Sequence, residues 1–133
     1  MARRVFLSFV EEDIQLVNLF RGQARNSNSD LEFYDFSIKD PYNSENESYI
    51  QQQIRYKLDL VSVTVCLLGY NTYRSPWVNW ELRASARKGK GLVGVRLHSS
   101  SSDGIPSVLR ENNAEIVNWV HDDIIKAIRR AAR

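Results

Sequence analysis

The sequence is poor in the residues that form disulfides, metal centres and membrane spans. It has one cysteine and two histidines among 133 residues, which excludes an internal disulfide and predicts no metal site, since His98, His121 and Cys66 are too few ligands. Cys66 lies in an apolar run, where a thiol usually behaves as a small hydrophobe. Its apolar runs are far shorter than the roughly 20 residues that span a bilayer. Residues 1–13 become acidic too early for a signal peptide, so we expect a cytoplasmic protein.

An excess of charge of one sign is also missing. The chain has 18 Lys and Arg against 16 Asp and Glu, a net charge of +2. So small an excess gives no reason to expect nucleic acid as the main partner. The length fits one domain over residues 1–133 and leaves no room for a separate effector module.

What the sequence does contain is a regular alternation of strand and helix patterns. The predicted strands are Val5–Phe9, Leu31–Phe36, Val61–Leu68, Leu92–Leu97 and Glu115–Trp119. The first predicted helix covers about Asp13–Arg25, and the second is indicated by Ile50, Ile54 and Leu58, which recur every four residues. Further helices are predicted from Pro76 to about Lys88, as a turn at Ser107–Arg110, and from Asp122 onward. Glu115–Trp119 also fits the start of a long helix, but the acidic pair at Asp122 favours a helix beginning there. Such alternation predicts a flavodoxin-like parallel sheet in three layers, with strand order 2-1-3-4-5.

The most informative segment runs from Val61 to Lys88. Its apolar strand ends at Gly69, a loop of polar and aromatic side chains follows, and Ser75 and Pro76 have the chemistry of a helix start. Trp77 and Glu81 lie four residues apart and therefore on one face of that helix. A carboxylate beside tryptophans is the leading candidate for a functional group. The ordinary alternative is a solvated or ion-paired glutamate, with Arg74, Arg87 and Lys88 nearby.

The predicted strand order places a crevice between the first and third strands. Ser8 and Phe9 end the first strand, and Gly69, Tyr70 and Asn71 follow the third. We therefore expect these residues to converge at the carboxyl edge of the sheet. Ser8 lacks a histidine in a relay position, which disfavours a serine nucleophile. A receiver domain is excluded because no aspartate follows the third strand.

Several of these segments resemble the TIR-like proteins of bacterial Thoeris antiphage systems. The similar segments are Arg4–Phe9, Tyr34–Ser37, Ser62–Val65, the stretch from Trp77-Val78 to Trp80-Glu81, and Trp119-Val120. The resemblance is strongest from Arg4 to Leu97. The chain differs in the compact region 99–113, where many relatives have a longer insertion.

The resemblance implies an enzyme that consumes NAD as substrate and needs no other cofactor. Glu81 would be the catalytic residue at the bond between nicotinamide and ribose, and the product would be a cyclic ADP-ribose-type signal read by an effector protein. The implied substrate-binding residues are Ser8, Phe9, Asp35, Ser37, Tyr70, Asn71 and Trp77. Of these, Phe9, Tyr70 or Trp77 could stack on a ring of the substrate, although Trp77 and Trp80 also fit the core. Asp35 is also a plausible turn former at a strand end.

A different class of function fits the same resemblance. A TIR adaptor without enzymatic activity would act by homotypic or partner assembly, with the 38–47 loop as its contact. Enzyme and adaptor are not exclusive, because TIR enzymes often assemble to complete their sites. Glu81 discriminates the two, since an adaptor has no need of a carboxylate beside two tryptophans.

Overall fold

The computed structural model describes residues 3–26, 31–35, 42, 44–98 and 104–132. In chain order, its strands are β1 Arg3–Ser8, β2 Leu31–Tyr34, β3 Val63–Leu68, β4 Gly91–Arg96 and β5 Glu115–Asn118. Its helices are α1 Ile14–Asn26, α2 Glu47–Asp59, α3 Pro76–Arg87, α4 Ser107–Glu111 and α5 His121–Ala131, with single 3-10 turns at Glu11–Asp13 and Thr72–Arg74.

The five strands form one parallel sheet in the order β2-β1-β3-β4-β5. β3 is central and all six of its residues are buried, as expected for a β-branched run covered on both faces. In the register, Phe6 pairs with Tyr34 of β2 and with Thr64 of β3. The predicted flavodoxin-like class and strand order are both confirmed.

Helices cover both faces of the sheet, following the alternation of side chains along each strand. On one face, Val5, Leu7, Val63 and Val65 pack in a cluster with side chains of α1 and α5. On the other face, Phe6 packs with α2 and Trp77, while Cys66 and Leu68 pack with α3 and α4. Odd-numbered residues of β1 therefore point to α1 and α5, and even-numbered residues point to α2 and α3.

The choice of a fifth strand over a long helix is confirmed, and so is the short helix before it. One local prediction needs correction at the start of the first helix. The acidic run Glu11–Asp13 forms a separate 3-10 turn before α1, and Asp13 is only 8 % exposed. The side chain of Asp13 is therefore part of the interior, where the pattern predicted the acidic start of a helix.

Candidate active site

Glu81 is a fully buried carboxylate on α3. The helix starts where the sequence predicts, with the hydroxyl of Ser75 accepting a hydrogen bond from the Val78 amide at 3.2 Å and Pro76 in the first turn. Its next turns bury Trp77, Val78 and Leu82 against the sheet, and Glu81 lies on the same buried side with 0 % exposure. Because Glu81 is 0 % exposed, the interpretation as a solvated glutamate is wrong. Of the cations suggested as ion-pair partners, Lys88 bonds to Asp59 and Arg74 bonds to Tyr73.

Ser8 meets Glu81 from the end of β1. The Ser8 hydroxyl donates a hydrogen bond to Oε1 of Glu81 at 2.7 Å, across 73 residues of sequence, and both residues are fully buried. Ser8 is even-numbered and therefore faces α2 and α3. The sequence predicted that Ser8 would converge with the loop after the third strand; the structure shows its hydroxyl at the carboxylate of the following helix.

A second pair of hydroxyls fixes the same turn of α3 to the sheet. Ser85 donates to the backbone carbonyl of Glu81 at 2.8 Å, and its oxygen lies 2.7 Å from Oγ1 of Thr64 on β3. These three residues are fully buried. Because these hydroxyls bond to each other and to the Glu81 carbonyl, the backbone that carries Glu81 has little freedom to shift along β3.

Positive charge approaches Glu81 from α2. The Lys57 ammonium donates to the backbone carbonyl of Asp35, directly after β2. Burial lowers the pKa of Lys57, while its electrostatic interaction with Glu81 acts in the opposite direction. The Asp35 carboxylate forms an ion pair with Arg21 of α1 in which both side chains are largely buried. A place for Lys57 and Arg21 near the site was not expected from the sequence, because each is an ordinary cation on the flank of an amphipathic helix.

Two of the predicted stacking residues lie in the hydrophobic core. Phe9 is 4 % exposed and packs in the cluster under α1 and α5, with the guanidinium of Arg21 5.6 Å from its ring centroid. Trp77 is 7 % exposed and packs with Phe6 and the buried stripe of α2, edge-on to Tyr42 at 5.2 Å. Their role in stacking on a nucleotide stays a prediction, and it requires each ring to leave its cluster.

Two further predicted residues lie on the loop after β3. Tyr70 is 62 % exposed and stacks on the imidazole of His98, after β4, with ring centroids 4.0 Å apart and planes 5° apart. The Asn71 amide donates to the Glu12 carboxylate at 3.2 and 3.3 Å. Both residues are at the carboxyl edge of the sheet, as predicted. Ser37, the remaining predicted residue, lies outside the described residues.

A second buried carboxylate lies at this edge. The side chain of Asp13 covers Gly69 so closely that a Cβ at position 69 would be 2.1 Å from Oδ2. Oδ2 has no hydrogen-bond partner among the residues that the structure describes. Burial raises the pKa of Asp13, the neighbouring Glu12 adds to the increase, and His98 opposes it. This residue was also missed, because an acidic residue before a helix normally remains in solvent.

A cavity of about 240 Å³ lies at the opposite, amino edge of the sheet. Its polar lining includes Glu115 and Arg130, which bond to each other at 2.9 and 2.5 Å. Parallel α/β sheets place their ligands beyond the carboxyl ends of the strands, so we do not assign chemistry to this cavity. In the described part of the chain, no three His, Cys, Asp or Glu side chains are grouped to hold a metal ion, and no helix has the length and apolarity to cross a membrane.

The sheet and its helices define a flavodoxin-like α/β domain, a fold that solved structures share. The TIR domain of the Toll-related receptor TRR-2 from Hydra magnipapillata superposes with a TM-score of 0.62 at 12 % identity, over 95 % of this chain and 91 % of that one. A 3-dehydroquinate dehydratase-like protein from Bifidobacterium longum superposes at 0.52 with 11 % identity, over 98 % and 95 % of the two chains. At these identities the likeness establishes the fold alone.

The family follows from the sequence comparison. Residues 6–102 match the family described as Thoeris protein ThsB, TIR-like domain, and the chain belongs to this family. A relative from Bacillus cereus (strain MSX-D12) is named "Putative cyclic ADP-D-ribose synthase ThsB1". It is 28 % identical over an alignment of 103 residues, and the match covers 74 % of this chain and 54 % of the relative. The chain therefore spans about half the length of that relative.

Proposed function

We propose that the chain is an NAD-consuming enzyme in which Glu81 acts on the bond between nicotinamide and ribose, releasing a cyclised ADP-ribose-type product. The observation that carries the proposal is the Glu81 carboxylate itself, fully buried and bonded to the Ser8 hydroxyl at 2.7 Å at the carboxyl edge of the sheet. The name of the Bacillus cereus relative supports the same reaction class.

The reaction suits a site with one such carboxylate. The nicotinamide of NAD is a pyridinium, so cleavage sends the bonding electron pair to the ring nitrogen and releases a neutral molecule. No general acid is needed, in contrast to ordinary glycoside hydrolysis with its two carboxylates. Glu81 would stabilise the positive charge that develops on the ribose, and a buried setting strengthens that interaction.

The burial of Glu81 also bears on the choice of product. Attack on the ribose by an adenine nitrogen, with loss of a proton, closes a ring, whereas attack by water gives open-chain ADP-ribose. A site that excludes water favours the ring. The half-buried indole of Trp80, packed edge-on against Trp77 at 6.1 Å, provides an apolar wall on the same helix.

The same burial restricts access. Because Glu81 is 0 % exposed, the side chains over it must move before the ribose of NAD can reach it. We therefore expect low turnover by the isolated protein and higher turnover when a trigger from the infecting phage opens the site. The proposal also includes a second protein that responds to the product, and assembly of the chain into homo-oligomers is compatible with it.

The test is Glu81→Gln, which preserves the shape of the side chain and removes its charge. We expect a loss of NAD turnover of about 100-fold or more, as for removal of one preorganised electrostatic group. Glu115→Gln is the matched control, because this exposed glutamate pairs with Arg130 at the opposite edge of the sheet. NAD, nicotinamide and cyclised product would be resolved by chromatography after triggering.

Two results separate enzyme from adaptor. If both variants retain turnover, Glu81 is not catalytic. If the triggered wild-type protein consumes no NAD, while a partner is activated only when the chain itself is present, the chain is an adaptor.

A further inference from the structure

Glu81 has a cationic neighbour for which the proposed reaction gives no obvious use. Lys57 lies on α2, in the turn that follows Ile54 and immediately before Leu58, and its side chain is half-buried. Ile54 and Leu58 pack with Phe6 and Trp77 in one cluster, so α2 lies against both β1 and α3. The flank of α2 that carries Lys57 thus faces the strand ends where Ser8 meets Glu81.

The strand register shows where the bonding partner of Lys57, the carbonyl of Asp35, lies relative to Ser8. Phe6 pairs with Tyr34, so Asp35 is level with Leu7 and one residue short of Ser8, on a strand about 4.8 Å away. The Lys57 ammonium donates to the Asp35 carbonyl, and it interacts electrostatically with Glu81. Asp35 is held in turn by its ion pair with Arg21. The Lys57 ammonium therefore has a hydrogen bond to the Asp35 carbonyl and an electrostatic interaction with Glu81, at the edge of the site.

We propose that Lys57 is the counter-ion of Glu81, a positioning residue that keeps this buried carboxylate ionised at neutral pH. A carboxylate at 0 % exposure loses the hydration that stabilises its charge, and a nearby cation is the usual compensation. The Ser8 hydroxyl supplies one hydrogen bond but no charge. The part of this inference that concerns turnover rests on the proposed function, whereas the pairing of the two charges does not.

The other charged groups of α2, α3 and α4 bond elsewhere or face solvent. On α2, Asp59 pairs with Lys88, and the guanidinium of Arg55 lies over the Trp80 ring at 5.1 Å. Arg110 and Glu111 of α4 are exposed. The strands beneath α3 present the uncharged groups of Ser8, Thr64 and the buried thiol of Cys66. Lys57, in contrast, interacts electrostatically with Glu81.

The experiment removes the charge and follows the protonation of Glu81 directly. Infrared titration detects the band of the protonated carboxyl group, which is assigned to Glu81 by its absence in Glu81→Gln. In Lys57→Met we expect this band to appear at a pH about one unit or more above that of the wild type, because the carboxylate has lost an opposite charge. The acid limb of the pH–rate profile for NAD turnover should move up with it.

Two further variants separate the charge from the shape of the side chain. Lys57→Gln retains an N–H donor without the charge and should behave like Lys57→Met, which provides a second charge-removing variant if the first fails to fold. Lys88→Met removes a lysine from the ion pair with Asp59 and should titrate like the wild type.

The inference is overturned if the folded charge-removing variants protonate Glu81 at the wild-type pH. A merely structural role for Lys57 would lower the melting temperature and leave the titration in place. The titration needs no turnover, so it can succeed even if the chain does not consume NAD. Conversely, loss of turnover in Glu81→Gln with an unmoved titration in both Lys57 variants would refute this inference alone.

Discussion

Ser8→Ala tests whether Glu81 is charged in the folded protein. The substitution removes the hydroxyl that donates to Oε1 of Glu81 at 2.7 Å. Because both residues are fully buried, water cannot replace the lost donor without rearrangement. A hydrogen bond to a charged group contributes about 1.5–3 kcal/mol, so we expect the free energy of unfolding to fall by about 2 kcal/mol. For a chain of this size, that is a decrease of about 6 °C in melting temperature.

The matched control is Ser85→Ala, which removes another fully buried hydroxyl near Glu81. Ser85 bonds to the backbone carbonyl of Glu81 and to Thr64, both uncharged groups. Its loss should cost about 1 kcal/mol per bond at any pH. The cost of Ser8→Ala should instead shrink in acid, where Glu81 is protonated and the bond becomes a weaker, neutral one.

The assay is urea unfolding of both variants and the wild type across the pH range in which the protein stays folded. If Ser8→Ala changes the free energy of unfolding by less than about 0.5 kcal/mol, or by the same amount at every pH, the native carboxyl group is not the charged acceptor that the reaction requires. NAD turnover gives an independent comparison, since Ser8→Ala removes a bond to the Glu81 carboxylate itself and should reduce turnover more than Ser85→Ala does.

Two predictions concern the second buried carboxylate. Gly69→Ala would place a Cβ 2.1 Å from Oδ2 of Asp13, so we expect a loss of about 1–3 kcal/mol in unfolding free energy. Gly22→Ala is the control, because nothing lies within 4 Å of its Cβ, and it should be neutral or stabilising. Equal effects of the two substitutions would show that the loop around Gly69 accommodates the extra atom. Burial raises the pKa of Asp13 above 3.8, so the native state binds the proton more tightly than the unfolded state and loses stability as the pH rises from 3.8 through the raised value. Asp13→Asn should therefore be more stable than the wild type at neutral pH, and the difference should vanish in acid. Thermal unfolding at neutral and at acidic pH measures this difference. A variant that is less stable than the wild type at neutral pH would contradict the prediction.

The sequence predicts the fold well because its signals are local. The apolar run at Val63–Leu68, the repeat of Ile50, Ile54 and Leu58, and the cap at Ser75 each depend on neighbours within a few residues. The strand order was predicted as the usual arrangement of a flavodoxin-like alternation of strands and helices. That order also predicted that Ser8 lies at the carboxyl edge near the loop after β3, although its bond to Glu81, across 73 residues, was not predicted.

The environment of the site was harder to predict because it depends on burial. Lys57 and Arg21 have no sequence feature that distinguishes them from other cations on helix flanks, and their partner is Asp35, at the end of an edge strand. Phe9 and Trp77 were expected as stacking platforms because they are aromatic, but side-chain type alone does not tell whether a ring faces the core or a ligand. Only the packed structure shows that each ring belongs to a cluster.

The two buried carboxylates at the carboxyl edge differ in how their charge is compensated, and the difference bears on which of them can act on NAD. Burial favours the protonated form of the Asp13 carboxyl, and the charge of the neighbouring Glu12 adds to this effect. Glu81 has the Ser8 hydroxyl at 2.7 Å and the charge of Lys57 nearby. A developing positive charge on ribose gains little from a neutral acid and much from an ionised one. Compensation of this kind suits Glu81, and not Asp13, to meet the cationic sugar at neutral pH.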